Sequence, residues 1–500
     1  MVKRFRRGIS RASKAPGTRG ARFNVPRKGR IRFFLGVLAL VLAFTLFSGR
    51  GPRKPPSLSN IHAGPTAVSQ PVAGPAPQPA AHRRPNLFER IGMSVSIKKN
   101  PVRAFSHDDV VNLLRKYPPR FRSGCDTVQE ENNRYIIHYS INLTVQDCGE
   151  TLLKRYHPKY GALVAMEPGT GRVLAAVSYT REGEPPLGDR LYCKSLFPSA
   201  STFKTVIAAG AIEKAHVGPD STFPLVGRRY TLYKFQLAPN VQFGQDVSLE
   251  EAYSLSINPI FGRIGIYALG IAGIKEYMGK FGFNSPVPFD LDNDNPVAQS
   301  VIQDTLMRIA EVASGFNRET RMSPLFGALM ASSVSEKGRM HVPYCVDSVT
   351  VMDTATVYRA EQRPWRTPML ESTASQIKYL MTRVVEYGTA RHAFTYARHS
   401  SCFDDVDYGG KTGSIDVEQL GKVDWFIGFA CHLTDPRQRI AVGVVTVHDQ
   451  YWTVHSGYIG EELFRTYIRG TQTAKKSGRP KEKNDQEKNK NEVSMRMYHD

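Results

Sequence analysis

Pro198-Ser-Ala-Ser-Thr-Phe-Lys-Thr-Val-Ile-Ala-Ala-Gly210 begins with turn-forming residues and runs into small apolar residues at helical spacing. Ser201 stands at the junction, with Lys204 three residues on. Residues i and i+3 share a helix face, so the lysine amine can reach the serine hydroxyl. A serine hydroxyl is a poor nucleophile at neutral pH and needs an adjacent base. A lysine serves when burial and nearby positive charge lower its pKa, and the apolar run from Val206 to Ala209 offers such burial. Taken alone, the stretch reads better as an ordinary helix start with Ser201 as N-cap.

Its company changes that reading. S-x-x-K is a weak pattern, and Ser96 with Lys99 and Ser375 with Lys378 repeat it. Downstream of Ser201, however, come Ser256-Ile-Asn258 and then Lys411-Thr-Gly413, the one K-T-G of the chain. Ser140-Ile-Asn142 also fits S-x-N, but it precedes the serine and lies in a strand-like run. The ordered trio S-x-x-K, S-x-N, K-T-G is the signature of penicillin-binding proteins and serine β-lactamases. On these residues the chain resembles a penicillin-binding protein transpeptidase domain, monofunctional and class B-like. The resemblance covers about residues 135 to 470. It takes in Glu167-Pro-Gly-Thr-Gly-Arg172, Phe281-Gly-Phe283, Met322-Ser-Pro-Leu-Phe-Gly-Ala328, Val384-Val-Glu-Tyr-Gly-Thr-Ala390 and Gly409-Gly-Lys-Thr-Gly-Ser414 through Phe429.

The resemblance implies roles position by position. Ser201 would attack the penultimate D-Ala carbonyl of a peptidoglycan stem peptide, or the lactam carbonyl of a β-lactam, and Lys204 would take its proton. Ser256 would relay that proton to the leaving amine beside the Lys411 ammonium. Asn258 would bond the substrate backbone, and Thr412 and Ser414, flanking Gly413, would bind the terminal carboxylate. The N–H groups of Ser201 and Ser414 would form an oxyanion hole, typically worth about 3 to 4 kcal/mol per donor. No cofactor is implied, and a lipid-linked glycan polymerase is implied as partner. Pro198-Ser-Ala departs from the usual Pro-Gly before the nucleophile and is similar to some class D β-lactamases and penicillin sensors, but Asn258 keeps the transpeptidase reading ahead. A D,D-carboxypeptidase, a β-lactamase and a non-catalytic β-lactam-binding scaffold or sensor remain alternatives.

Charge and composition divide the rest of the chain. The net charge is +22, but residues 1–84 hold 17 Lys/Arg and no acid. The tail 471–500 adds 8 Lys/Arg against 5 acids, which leaves a nearly neutral body and argues against nucleic acid. Residues 1–32 read as a basic disordered cytoplasmic tail. Residues 33–49 are apolar from Phe33 to Phe47 and read as a transmembrane signal-anchor. Extended back to Ile31, the run spans roughly 28 Å as a helix, enough for a bilayer, and the positive flank keeps the N-terminus cytoplasmic. No small-x-small cleavage site directly follows Phe47, which favours an uncleaved anchor over a signal peptide. Residues 50–85, with nine prolines from Pro52 to Pro85, form a linker. Residues 86–134 read as a short N-terminal segment, a reduced pedestal, with a capped amphipathic helix from Ser106 to Lys116. The body would therefore be extracytoplasmic on a single-pass inner-membrane anchor, followed by a disordered charged tail at 471–500.

Within residues 135–470 the expected fold is α/β (α+β), a central antiparallel sheet flanked by helices with an all-helical subdomain. Tyr135 to Leu143 reads as a strand, residues 162–178 as a hairpin, and Asp424–Ala430 with Arg439–Val447 as a second strand pair. Pairing the sequence-distant strands centrally brings Lys411 near the Ser201 helix. Cys125 with Cys148 and Cys345 with Cys402 are candidate disulfides from position alone. No His/Cys cluster has zinc-ligand spacing. His392 reads as a solvated loop histidine before a cleft-lining one.

Overall fold

The computed structural model describes residues 103–130, 133–241, 243–295, 305–351 and 355–477. The basic tail, the apolar run 33–49 and the linker lie outside these residues, as does 478–500. Among the described residues no helix is long and apolar enough to cross a membrane.

The first helix, α1 (His107–Lys116), forms where the sequence places it. The Ser106 side chain accepts from Asp109 N and the Asp109 side chain answers to Ser106 N, a reciprocal cap. Strands β1 (Cys125–Glu130) and β2 (Asn133–Tyr139) follow as an antiparallel hairpin. This hairpin joins residues on both sides of position 134 and enters a four-stranded sheet with β5 (Val346–Val351) and β6 (Ala355–Arg359), in the order β1-β2-β5-β6.

Strand β2 stops at Tyr139, short of the expected Leu143. Asn142 turns the chain into helix α2 (Leu143–Tyr156), its side chain accepting from Thr144 N at 3.1 Å and Val145 N at 3.2 Å. Asn residues compete for backbone donors in this way and favour caps over strand interiors. The Ser140-Ile-Asn142 triplet is thus a piece of scaffold.

The large sheet is built from β3 (Tyr160–Met166), β4 (Val173–Thr180), β7 (Val406–Val417), β8 (Gly421–His432) and β9 (Arg439–His448). Its order is β7-β8-β9-β3-β4, with every pair antiparallel. The pairing of β9 with β3 closes a sequence gap of nearly three hundred residues, Val444 standing opposite Leu163. The inner strands read as unbroken apolar runs because helices cover both faces. Helix α8 (Pro324–Ser335), every residue of which is buried, packs on one face. Helix α10 (Ser456–Ser477) and α2 pack on the other. Gly443 makes the α8 contact possible, since a Cβ there would lie 2.2 Å from Pro324 O. On the outer side of β4, the Gln146 amide bonds the strand as a neighbouring peptide group does, Ala176 N donating to Oε1 at 2.9 Å and Nε2 donating to Ala176 O at 3.2 Å.

Between these strands the chain is largely helical: α3 (Lys204–Ala215), α4 (Leu249–Ser254), α5 (Asn258–Arg263), α6 (Gly270–Phe281), α7 (Leu306–Ser314) and, after α8, α9 (Glu371–Glu386). The expected disulfides do not form: Cys125, Cys148 and Cys345 are free thiols. Cys125 is exposed on edge strand β1, whereas Cys148 lies on α2 against Thr466 of α10, whose hydroxyl is 3.3 Å from its sulfur. Cys345 is buried, at a backbone position tied to Asp290 by a 2.6 Å bond.

Candidate functional site

Ser201 sits on a single 3-10 turn, Ala200–Phe203, that leads directly into α3, so it does not cap the helix. The turn is held from several sides. Ser199 N donates to Thr320 O at 2.8 Å, and the Trp425 indole N–H of β8 donates to Pro198 O at 2.7 Å. Ala200 has φ 48°, a left-handed conformation that alanine seldom adopts. Gly315 lies against it at φ 70°, where a Cβ would fall 1.9 Å from Ala200 O. Strain of this kind persists only where the surroundings over-determine it.

Lys204 opens α3 and is wholly buried. Its Nζ lies 2.7 Å from Ser201 Oγ, 2.8 Å from Asn258 Oδ1 and 2.6 Å from Ser314 O. The Asn258 orientation follows from its other end, where Nδ2 donates to Tyr230 O at 3.2 Å. Asn258 Oδ1 and Ser314 O can only accept, so Nζ donates to both, and once the amine has lost a proton its lone pair can turn to the Ser201 hydroxyl. Burial pushes the Lys204 amine well below the ordinary lysine value, and the Lys411 charge adds to the effect. Among the described residues no carboxylate pairs with it.

Lys411 is also wholly buried, in strand β7, and burial lowers its amine to about 7. Its Nζ donates to Ser256 Oγ and to Thr412 O, each at 3.0 Å. Ser256 occupies the bend between α4 and α5 at φ 57°, a second strained residue at the site. The loop after α9 supports that bend, with Thr389 N donating to Ser254 O at 3.0 Å and the Thr389 hydroxyl meeting that of Thr412.

Strand β7 passes close to the serine turn because position 413 has no side chain. A Cβ on Gly413 would sit 3.0 Å from Ser201 N and 3.1 Å from Thr202 N. Ser414, next on the strand, donates from Oγ to Asp424 Oδ1 at 3.0 Å.

The structure thus brings Ser201, Ser256, Asn258, Thr412, Gly413 and Ser414 to the lining of one cleft of about 430 Å³. Lys204 and Lys411 are buried beneath it, bonded to Ser201 and Ser256 respectively. His392 lines the cleft while remaining exposed, so it is both things that sequence set as alternatives. Ser314, Thr389, Asp424 and His455 also belong to the site and were missed. Their signals are backbone carbonyls, a loop contact and a strand register, none of which is a sequence pattern. Among the described residues no group of His, Cys, Asp and Glu is arranged to hold a metal.

The fold and the site together define a serine–lysine centre carried between an antiparallel sheet and a helical layer. The model for the penicillin binding protein transpeptidase domain matches residues 161–469, and the chain belongs to that family. Among curated relatives, the peptidoglycan D,D-transpeptidase PbpA of Mycobacterium tuberculosis is 26% identical over 332 residues, covering 58% of this chain and 63% of that protein. Stage V sporulation protein D of Bacillus subtilis is 26% identical over 318 residues, or 58% of this chain and 47% of the relative. The chain therefore spans less than two thirds of either relative. Solved structures agree on the fold. The D,D-transpeptidase domain of a peptidoglycan glycosyltransferase from Eggerthella lenta has a TM-score of 0.57 at 21% identity, covering 72% of this chain and 87% of that one. An imipenem acyl-enzyme complex of penicillin-binding protein A from M. tuberculosis has 0.53 at 23%, covering 66% and 79%.

Proposed function

We propose that this protein is a serine-type D,D-transpeptidase that cross-links peptidoglycan stem peptides and is acylated by β-lactams. The observation that carries the reading is the Lys204 amine, buried without a counter-charge 2.7 Å from Ser201 Oγ. An unpaired buried amine is costly to the fold, and holding a neutral base against a hydroxyl is what such an arrangement can do. The curated name of the M. tuberculosis relative and the acyl-enzyme state of its structural neighbour support the same reading.

In this mechanism Ser201 Oγ attacks the carbonyl carbon between the two D-Ala residues, and its proton passes to Lys204. The oxyanion forms against the N–H groups of Ser201 and Ser414. Collapse breaks the peptide bond, and the leaving amine takes a proton through Ser256, whose hydroxyl contacts Lys411 Nζ at 3.0 Å. Asn258 orients the peptide backbone, while Thr412 and Ser414 take the terminal carboxylate. An acceptor amine then attacks the ester, and Ser201 Oγ is released with its proton returned. Residues 33–49 anchor the chain in the cytoplasmic membrane with the catalytic domain outside, and a lipid-linked glycan polymerase supplies the strands.

Intact-protein mass spectrometry of the full chain with benzylpenicillin, beside Ser201→Ala, tests this. An adduct that lasts many minutes in the wild type and is absent in the variant is the expected result. Rapid drug consumption without a lasting adduct points to a β-lactamase instead. Neither adduct nor consumption in a folded sample points to a scaffold.

A further inference from the structure

One charged group in the cleft has no part in that mechanism. Asp424 stands on β8 directly opposite Ser414 of β7, 4% exposed. Its Oδ1 accepts the Ser414 hydroxyl at 3.0 Å, and its Oδ2 accepts the N–H of Ser456 at 2.7 Å. The Ser456 hydroxyl further secures the position by donating to Asp424 O at 2.8 Å. A fixed carboxylate thus sits beside the subsite assigned to the substrate's own carboxylate. Like charges repel strongly where water is scarce, so Asp424 by itself disfavours an anionic ligand there.

The compensating group is at hand. His455 Nδ1 lies 3.7 Å from Asp424 Oδ2, and its side chain is 63% exposed and borders the same cleft. The Trp452 ring packs 5.1 Å from the His455 ring and 5.3 Å from that of His448, which fixes one side of the imidazole. We infer that His455 and Asp424 form a specificity pair: the imidazolium binds the donor's terminal carboxylate, and Asp424 positions both that imidazolium and the Ser414 hydroxyl. This rests on the proposed acylation of Ser201 and adds to it a pH-dependent anion subsite.

Contact with Asp424 raises the His455 imidazole above its usual value. The other titratable groups near it are His448 at the end of β9, which shares the Trp452 ring with it, and His392, which lines the same cleft. Burial lowers the His448 imidazole, so it gives up its proton at a lower pH than His455 does. Above the His455 titration, Asp424 is left uncompensated and the cleft turns against anions.

The test is the second-order acylation rate of the full-length protein by benzylpenicillin, itself a carboxylate, measured from about pH 5 to 9 across the histidine range. The wild type should show a fall in rate as pH rises through the His455 titration, relative to His455→Lys, which stays charged throughout. H455Q should acylate roughly tenfold more slowly at the low end, the scale of a partly screened charge contact, and should lack that fall. Adding D424N to H455Q should recover most of the loss, since it removes the uncompensated charge. The inference is overturned if H455K is as slow as H455Q, or if H455Q keeps the same fall relative to H455K, the Lys411 titration being common to all three proteins. Because the His455 variants alter an exposed side chain, they answer the question even if Asp424 variants fail to fold. A wild type that is never acylated overturns the proposed function as well, whereas normal acylation insensitive to His455 overturns only the pair.

Discussion

Around the four-stranded sheet, cations stay at the surface beside an anion: Arg115 with Asp292 at 2.9 Å, Lys116 with Glu130 at 2.7 Å and Arg172 with Asp347 at 2.7 Å. Around Ser201, two lysines lie at zero exposure among neutral oxygens, and two non-glycine residues hold left-handed backbone. The first pattern is inexpensive and adds little stability, because exposed ion pairs are screened and mobile. The second costs stability and yields amines that lose their protons more readily than an exposed lysine does. The contrast sets apart the region proposed to react from one whose charges are arranged as on an ordinary surface.

The sharpest way to break this contrast is to make the cleft ordinary. Lys204→Met should lower the acylation rate at least a thousandfold, as removal of a unit's base does, while leaving the melting midpoint equal or higher. A loss of folding with the loss of rate would mean that the lysine is structural.

The next largest effect concerns Lys411 and pH. Its folded value is about 7 against an ordinary 10.5. Between those values the unfolded state holds a proton that the folded state lacks, so stability rises with pH. Relative to Lys411→Met, the wild type should gain about 1 kcal/mol per pH unit across that window, with no further gain above it. Denaturant midpoints at a series of pH values measure this, and parallel curves would return Lys411 to the ordinary surface kind.

Gly315→Ala tests the strained turn. Its Cβ would collide with Ala200 O, so destabilisation of about 2 to 4 kcal/mol is expected, together with slower acylation. The smallest effect belongs to the other region. Lys116→Ala should leave both the melting midpoint and the acylation rate unchanged within error, at low and at high salt.

Much of this architecture was readable from the sequence. The apolar runs of β3, β8 and β9 and the Ser106 cap announce themselves by period and by turn chemistry, and three short motifs collect seven of the eight proposed site residues, Ser414 following directly on the last. The end of β2 was less visible, because Asn142 caps a helix whose first turn carries no distinctive pattern. Disulfide pairing was not readable, since it depends on how close two side chains come and not on where they fall along the chain. The Ser314 carbonyl beside Lys204 and the Asp424 carboxylate beside Ser414 were also hidden. One is a backbone atom that any residue would supply, and the other acquires meaning only through the register that sets Ser414 opposite Asp424.

The side-chain amide of Gln146 on the outer edge of β4 has a consequence for the molecule's behaviour in a crowd. Open strand edges recruit other strands, the usual first step toward aggregates. By occupying the N–H and C=O of Ala176, Gln146 blunts that edge at its middle. A protein proposed to handle extended peptides must leave one edge receptive, and a blocked far edge confines such traffic to the side where Ser201 waits.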